Sequence, residues 1–314
     1  AEAVRDHDVV ETVRAASAGS PVTKLVELRS DPARPRVWLH VVATRVPADR
    51  RTLVLLQDVT ELRRAEAARR DFVANVSHEL RTPVASLKAL VETLEAGAID
   101  DPEAGPDFLR RMHVEVDGLA QLIAELLELA RIEAGKLELD LQLCRADELV
   151  LDAVERIRAY ASRVSLTIEA ALAREDLWVR ADARRIGQVL SNLLSNAVKF
   201  TPPGGRIEVG VRRANSCAEV WVADTGVGIA SDQLVRVFER FYKIDPSRSS
   251  SGTGLGLAIC KHIIRAHQGE IWSRSPGLGR GATFTFTLQA AEPAADLHAE
   301  AARRAQPLAP AAAL

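Results

Sequence analysis

Two runs of apolar residues step along this chain by fours and threes, and a proline interrupts the first of them. Leu80, Val84, Leu87, Val91 and Leu94 make one seam; Leu109, Met112, Val116, Leu119, Ile123, Leu126 and Ala130 make a second. Such heptad spacing lines one side of an α-helix and asks for another helix to cover it. The stretch EAGAIDDPEAGPD between the seams carries the Gly, Pro and Asp that end helices. Two helices on so short a loop form an antiparallel hairpin. One hairpin leaves its flanks open, so the pattern predicts a four-helix bundle built from two copies, a homodimer. Pro83 costs the first helix roughly 3 kcal/mol, because it lacks an amide hydrogen and crowds the carbonyl four residues back. It lies five residues after His78, which poses the question of why the cost is accepted there.

The rest of the chain sorts around this hairpin. At 314 residues it has room for two or three domains. A formal charge of -2 gives no global field for nucleic acid. No apolar run is long enough to cross a bilayer. The chain opens on AEAVRDHD, without Met or a signal-peptide pattern, and reads as a fragment. It is expected in the cytoplasm. An anchor in the bacterial inner membrane would lie upstream of Ala1. Cys144, Cys217 and Cys260 are odd in number and widely spaced, which favours packing thiols in a reducing compartment over a disulfide or a zinc site.

Residues 1–58 hold a short helix, VVETVRAAS, and two β-branched runs, RPRVWLHVVATRV and RRTLVLLQDV, joined by PADRR as a hairpin. This is little chain for a core and reads as the rear of a larger domain. Asp58 and Glu61 form a capping-box pattern at the start of the first long helix. The hairpin domain spans 59–137. Residues 138–290 alternate strands and helices: LELDLQL, SLTIEAA, DLWVRAD, RIEVGVRR, AEVWVAD, EIWSRSP and GATFTFTLQ as strands. Residues 146–164, 183–200, 231–242 and 254–269 are expected as helices, with Ser231 as an N-cap. The outcome is an α/β sandwich, one mixed sheet under helices. Residues 291–314 are Ala- and Pro-rich and read as a disordered tail.

Chemistry gathers in the sandwich. DTGVGI follows an apolar strand, and GTGLGLAI opens a helix. Gly226, Gly228, Gly252, Gly254 and Gly256 let backbone approach a ligand, and amides at a helix start favour phosphate. Each motif alone reads equally as a tight turn. In QVLSNLLSNAVKF, Asn192, Asn196 and Lys199 share one helix side, while Ile186, Val189, Leu190, Leu193 and Ala197 face the core. Two amides and an ammonium can hold phosphate oxygens and a magnesium ion, which tolerates one neutral protein oxygen because it keeps water and phosphate ligands. KIDPSRSSS, between the glycine motifs, reads as a lid.

VSHELRTPVASL, QVLSNLLSNAVKFTPPGG, VADTGVGI, VFERFYKID and GTGLGLAI occur in this order. They resemble the H, N, G1, F and G2 boxes of sensor histidine kinases, over about residues 59–290. The boxes are most similar to the subgroup that includes the phosphate-regulon sensor kinase. The QDVTELRRAE junction resembles the end of a PAS domain feeding a signalling helix. The fold class implied is α+β multidomain: a partial PAS-like segment, a helical hairpin that dimerises, and a gyrase-like ATP-binding sandwich.

The resemblance implies a role for each residue. His78 is the phosphoacceptor, Glu79 orients its imidazole, and Thr82 positions a water for dephosphorylating a response regulator. Asn196 binds Mg2+, with Asn192 and Lys199 near the phosphates of ATP. Phe200 lies against the nucleotide, and Asp224 accepts from the adenine amino group. Lys243 reaches phosphate, and Gly252, Gly254 and Gly256 admit the triphosphate. The implied activity is autophosphorylation on His78 followed by transfer to an aspartate of a receiver domain. A neutral imidazole suits this, since an unperturbed histidine titrates near pH 6.5. The other histidines, His7, His40, His113, His262, His267 and His298, lack such settings and read as structural or solvated. A clamp-type ATPase and an ATP-binding scaffold are the competing readings. Pro83 is then either a hinge beside the phosphoacceptor or a static kink that exposes it.

Overall fold

The computed structural model describes residues 6–28, 36–46, 51–173, 176–244 and 252–292. The chain forms two compact units, residues 1–81 and 82–314.

The first unit opens with helix α1 (His7–Ser17), capped by Asp6, whose carboxylate accepts from the amides of Asp8 and Val9. Strands β1 (Val22–Leu28), β2 (Val37–Arg45) and β3 (Thr52–Asp58) form an antiparallel sheet in sequence order. The helix and the β2–β3 pairing were expected. The PADRR turn falls mainly outside the described residues. Strand β1 was not foreseen: Lys24 and Glu27 break its apolar run, and it is fixed by pairing from Val22↔Ala43 to Leu28↔Val37. Val9, Val26, Leu39 and Val41 form the core of this unit. The sheet grips the start of helix α2 (Thr60–Glu95). Asp58 accepts from the Thr60 amide at 2.9 Å, the Thr60 hydroxyl accepts from the Trp38 amide at 2.9 Å, and Val59 donates to the Trp38 carbonyl.

Helix α2 continues through Pro83 into the second unit. A short 3-10 turn (Ala98–Asp100) leads to helix α3 (Ala104–Glu133). Within this unit the Ser86 hydroxyl donates to Glu115 at 3.0 Å, tying the two helices. Leu94, Leu122 and Leu129 are buried, whereas Val84, Val91, Leu109, Val116 and Ile123 of the heptad seams remain exposed. No helix among the described residues is long and apolar enough to cross a membrane.

The sandwich follows with β4 (Gln142–Arg145), α4 (Ala146–Arg163), β5 (Thr167–Ala171), β6 (Trp178–Ala181), α5 (Ala183–Phe200), β7 (Arg206–Ala214), β8 (Cys217–Asp224), α6 (Gly256–Ala266), β9 (Ile271–Arg274) and β10 (Ala282–Ala291). The sheet order is β4-β6-β10-β8-β7-β5, with β9 beside β10. Among the described strands of this sheet only β5–β7 is parallel; the other pairs are antiparallel. Alternate residues of the central strands, among them Ile207, Val209, Val220, Val222, Phe284 and Phe286, are buried with the apolar faces of α4, α5 and α6. This is the period-two pattern of a sheet covered on one side.

Two expectations fail locally. The stretch LELDLQL is strand only from Gln142, because β6 ends at Ala181 and its next residue, Asp182, caps α5, leaving residues 137–141 no strand to pair with. The helix over 231–242 is instead a series of turns with one 3-10 turn (Arg236–Phe238), so Ser231 caps no α-helix. Burial of Val237 and Phe238, the latter edge-on to Phe284, anchors this segment. The amide of Phe241 then leaves the helical path and donates to the Gly254 carbonyl at 2.9 Å. The lid segment lies outside the described residues from 245 to 251, as does the tail from 293 to 314.

Candidate active site

Helix α5 supplies one wall. Its residues Ile186, Val189, Leu190, Leu193, Leu194, Ala197 and Val198 are buried, which turns Asn192, Asn196 and Lys199 toward the open side. Asp182 fixes its start: one carboxylate oxygen accepts from the Arg185 amide at 3.0 Å, the other from the Asp140 amide at 3.2 Å. The Asn192 side-chain amide donates to the Gly256 carbonyl at 3.3 Å, so this residue fastens α5 to the first turn of α6. Asn196 is half-buried, and the Lys199 ammonium lies 4.8 Å from the centre of the Phe200 ring. A Cβ on Gly252 would stand 3.1 Å from that ammonium, so the second glycine motif and the end of α5 face one another.

Asp224, the last residue of β8, supplies the other wall. Its carboxylate accepts from the Gly226 amide at 2.8 Å and the Ala282 amide at 3.3 Å. Burial nonetheless raises its pKa above the ordinary value, outweighing the two amides. A Cβ on Gly226 would lie 2.4 Å from the Phe200 carbonyl, and the Val227 amide donates to that same carbonyl. Asp224, Gly226 and Phe200 are thereby one cluster. Gly228 has φ +69 and its Cβ would lie 2.1 Å from the Gly277 carbonyl oxygen. Gly254 has φ +73 and is pressed against the Phe241 backbone. Both positions need the left-handed region and the missing side chain together.

The two lysines set the electrostatics. Burial lowers the Lys199 pKa, and the nearby charge of Lys243 lowers it further. Two close cations beside glycine backbone favour a multiply charged anion. Among the described residues no group of three or more His, Cys, Asp or Glu side chains could hold a metal ion. The single Asn196 carboxamide fits an ion that arrives with phosphate oxygens and water as its main ligands.

His78, Glu79 and Thr82 lie within one turn of α2, before Pro83. His78 and Thr82 are exposed and Glu79 is half-buried.

Sequence reasoning missed two groups. The Ser275 hydroxyl accepts from the Ile229 amide at 3.0 Å and donates to the Gly281 carbonyl at 2.7 Å, joining the first glycine motif to the loop before β10. Thr253, inside the second motif, accepts from the Leu255 amide at 3.2 Å and donates to Glu125 of α3. Its place among the glycines was the available signal; nothing in sequence marked Ser275.

A sandwich with an asparagine helix, a strand-end aspartate and two glycine loops at one edge defines a nucleotide-binding ATPase domain. The comparisons agree. Residues 181–292 match the histidine kinase-, DNA gyrase B- and HSP90-like ATPase family, and residues 68–135 match the His Kinase A (phospho-acceptor) domain. The chain is 41% identical over 247 residues to the sensor-like histidine kinase SenX3 of Mycolicibacterium smegmatis, covering 76% of this chain and 62% of that protein. The structure of the Acinetobacter baumannii histidine kinase AdeS matches with TM-score 0.57 and 26% identity, covering 68% of this chain and 98% of that one. That of histidine kinase ThkA in complex with response regulator TrrA matches with TM-score 0.59 and 23% identity, over 90% of this chain and 83% of that one, a likeness of fold. The chain belongs to the sensor histidine kinases of two-component systems.

Proposed function

We propose that this chain autophosphorylates on His78 from ATP and passes the phosphoryl group to an aspartate on a response-regulator receiver domain. The observation that carries the reading is the convergence of Lys199 on Gly252, and of Asp224 and Gly226 on Phe200, at one edge of the sandwich.

In this reading Asp224 accepts from the adenine amino group, Gly226 and Gly228 let backbone lie against the base, and Phe200 flanks it. Lys199 and Lys243 neutralise phosphate oxygens, and Gly252, Gly254 and Gly256 admit the triphosphate. Asn192 holds the α6 start in place beside it. Asn196 would hold Mg2+, which supplies charge neutralisation between phosphates. A nitrogen of the neutral His78 imidazole attacks the γ-phosphorus; the bond to the β-bridging oxygen breaks, and ADP leaves. Glu79 accepts the ring proton and keeps the other nitrogen nucleophilic. In the second transfer the phosphoryl group moves from His78 to the receiver carboxylate. Thr82, one turn on, positions a water that attacks the receiver's aspartyl phosphate, freeing the carboxylate and releasing inorganic phosphate.

We assign residues 1–58 to the rear of a PAS-like domain, 59–137 to the dimerising phosphotransfer hairpin, 138–290 to the ATP domain and 291–314 to a tail. The exposed seam residues Val84, Val91, Leu109, Val116 and Ile123 support a homodimer, since a second hairpin would cover them. The ThkA–TrrA complex supports a receiver domain as the second partner. The chain works in the cytoplasm, where ATP is held; a membrane anchor, if the whole protein has one, belongs to sequence outside these helices.

The test is γ-labelled ATP with magnesium on the purified chain, beside His78→Gln and Asn196→Asp. Label that is acid-labile and alkali-stable on wild type alone is expected. ATP hydrolysis without label would replace the kinase reading with a clamp-type ATPase.

A further inference from the structure

Helix α3 does more than complete the hairpin: three of its carboxylates fasten it to the ATP domain within the second unit. Glu125 accepts from the Thr253 hydroxyl. Glu128 accepts from the Arg185 guanidinium and from the Gln188 side-chain amide, with both ion-pair partners under one-fifth exposed. Glu133 pairs with Arg240 at 2.7 Å. Leu122 and Leu129, on the same length of helix, are buried.

The three contacts are not equivalent. Glu128 meets the first turns of α5, and Glu133 meets the turn segment before the lid. Glu125 alone meets the loop that carries Gly252 and Gly254. The Thr253 hydroxyl has one proton, and it is committed to Glu125 while its oxygen accepts from the Leu255 amide. A carboxylate is thereby held at the loop where the proposed triphosphate must lie, and like charges at hydrogen-bond range repel strongly when partly shielded from water.

We propose that Glu125 is a nucleotide-sensitive latch: it holds the glycine loop to α3 in the ligand-free chain, and the triphosphate displaces it. This rests on the nucleotide-site reading above and adds how that site is regulated. By linkage, a contact made only in the ligand-free state lowers nucleotide affinity, and nucleotide weakens that contact by the same factor. Occupancy of the site would then remove one of the three ties between the ATP domain and α3, leaving those of Glu128 and Glu133.

The experiment is calorimetric titration of a non-hydrolysable ATP analogue with magnesium into wild type, Glu125→Gln, Glu125→Ala and Glu128→Gln. Glu125 is half-exposed on a helix surface, so neither change should unfold the chain; circular dichroism checks this. Glu125→Gln is expected to tighten binding about three- to tenfold by removing the charge, and Glu125→Ala at least as much. Glu128→Gln, which leaves the loop contact intact, should tighten it less than either. Wild type that binds the analogue no more weakly than the Glu125 variants would overturn the latch and leave the nucleotide site standing. Absence of binding by every chain would overturn the nucleotide site itself, and the latch with it.

Discussion

The backbone amide of Asp182 donates to Nε2 of His267 at 3.1 Å, joining the start of α5 to the end of α6 in the interior. An amide can only donate, so Nε2 must accept and the proton sits on Nδ1, 2.8 Å from the Ile263 carbonyl. The imidazole is therefore a neutral bridge satisfied on both sides. His267→Ala would leave the buried Asp182 amide without a partner, take away one of the two donors to the Ile263 carbonyl and open a cavity. A loss of about 2–4 kcal/mol is expected. Urea unfolding followed by indole fluorescence would measure it. A loss below about 1 kcal/mol would mean that water or repacking replaces the ring.

Asp224 should trade stability against recognition. Its folded-state pKa is raised above 3.8 by burial. A raised carboxylate favours folding fully below its unfolded pKa, and that advantage is lost as pH rises through the folded pKa. At neutral pH the charged Asp224 is thus a burden on the ligand-free fold. Asp224→Asn keeps an oxygen for the Gly226 and Ala282 amides and removes the charge. Its melting temperature should exceed that of wild type at neutral pH, with the gap closing as pH falls toward 3.8. The new NH2 would face the adenine amino group donor to donor, weakening nucleotide binding about 10- to 100-fold. Thermal melts across pH and nucleotide titration give the two halves; equal affinity would remove Asp224 from base recognition.

Much of this was legible because the local signals were strong. Helix α5 occupies residues 183–200 as the sequence implied, since its apolar positions keep one face over the whole length and TPPGG ends it. The strand pair β7–β8 follows from clean alternation. Tertiary partners decided the rest. Leu137 and Leu139 alternate like a strand but find no neighbour beyond Ala181. Leu234, Val235 and Val237 suggest a helix, yet Phe238 and the Phe241–Gly254 hydrogen bond pin the chain into turns. Asn192, expected near phosphate, also donates to the Gly256 carbonyl within the second glycine motif, a contact no spacing rule reveals. Glu125 and Glu128 read as ordinary helix-surface charge because their partners are more than fifty residues away.

Gly228 offers a sharp steric test. A methyl group there would meet the Gly277 carbonyl oxygen at 2.1 Å, on a backbone already at φ +69. The loop is also held by Gly279, whose amide donates to Val227 at 2.7 Å, so the carbonyl cannot simply swing away. Gly228→Ala is expected to destabilise the sandwich by about 2 kcal/mol or more. Nucleotide affinity should fall with it, since Asp224 and Gly226 sit on the same loop. Gly187→Ala, where a Cβ meets only an arginine nitrogen at 3.8 Å, is the matched control within α5 and should be neutral or stabilising.

Pro83 returns the question set by the sequence. Helix α2 runs unbroken from Thr60 to Glu95 with Pro83 inside it. Proline has no amide hydrogen to give the Glu79 carbonyl, and Glu79 is the neighbour of the proposed phosphoacceptor. Pro83→Ala restores a donor and removes a ring, so α2 should gain about 1–3 kcal/mol in unfolding free energy. A purely static kink predicts that gain and nothing else. A hinge predicts more: a stiffer α2 should hold His78 and Thr82 in one arrangement and shift the balance between labelling of His78 and dephosphorylation of the regulator. The two rates, measured side by side on wild type and Pro83→Ala, are expected to change in opposite directions by at least fivefold. Rates that move together, or stay put while stability rises, would leave Pro83 as a kink that exposes the histidine.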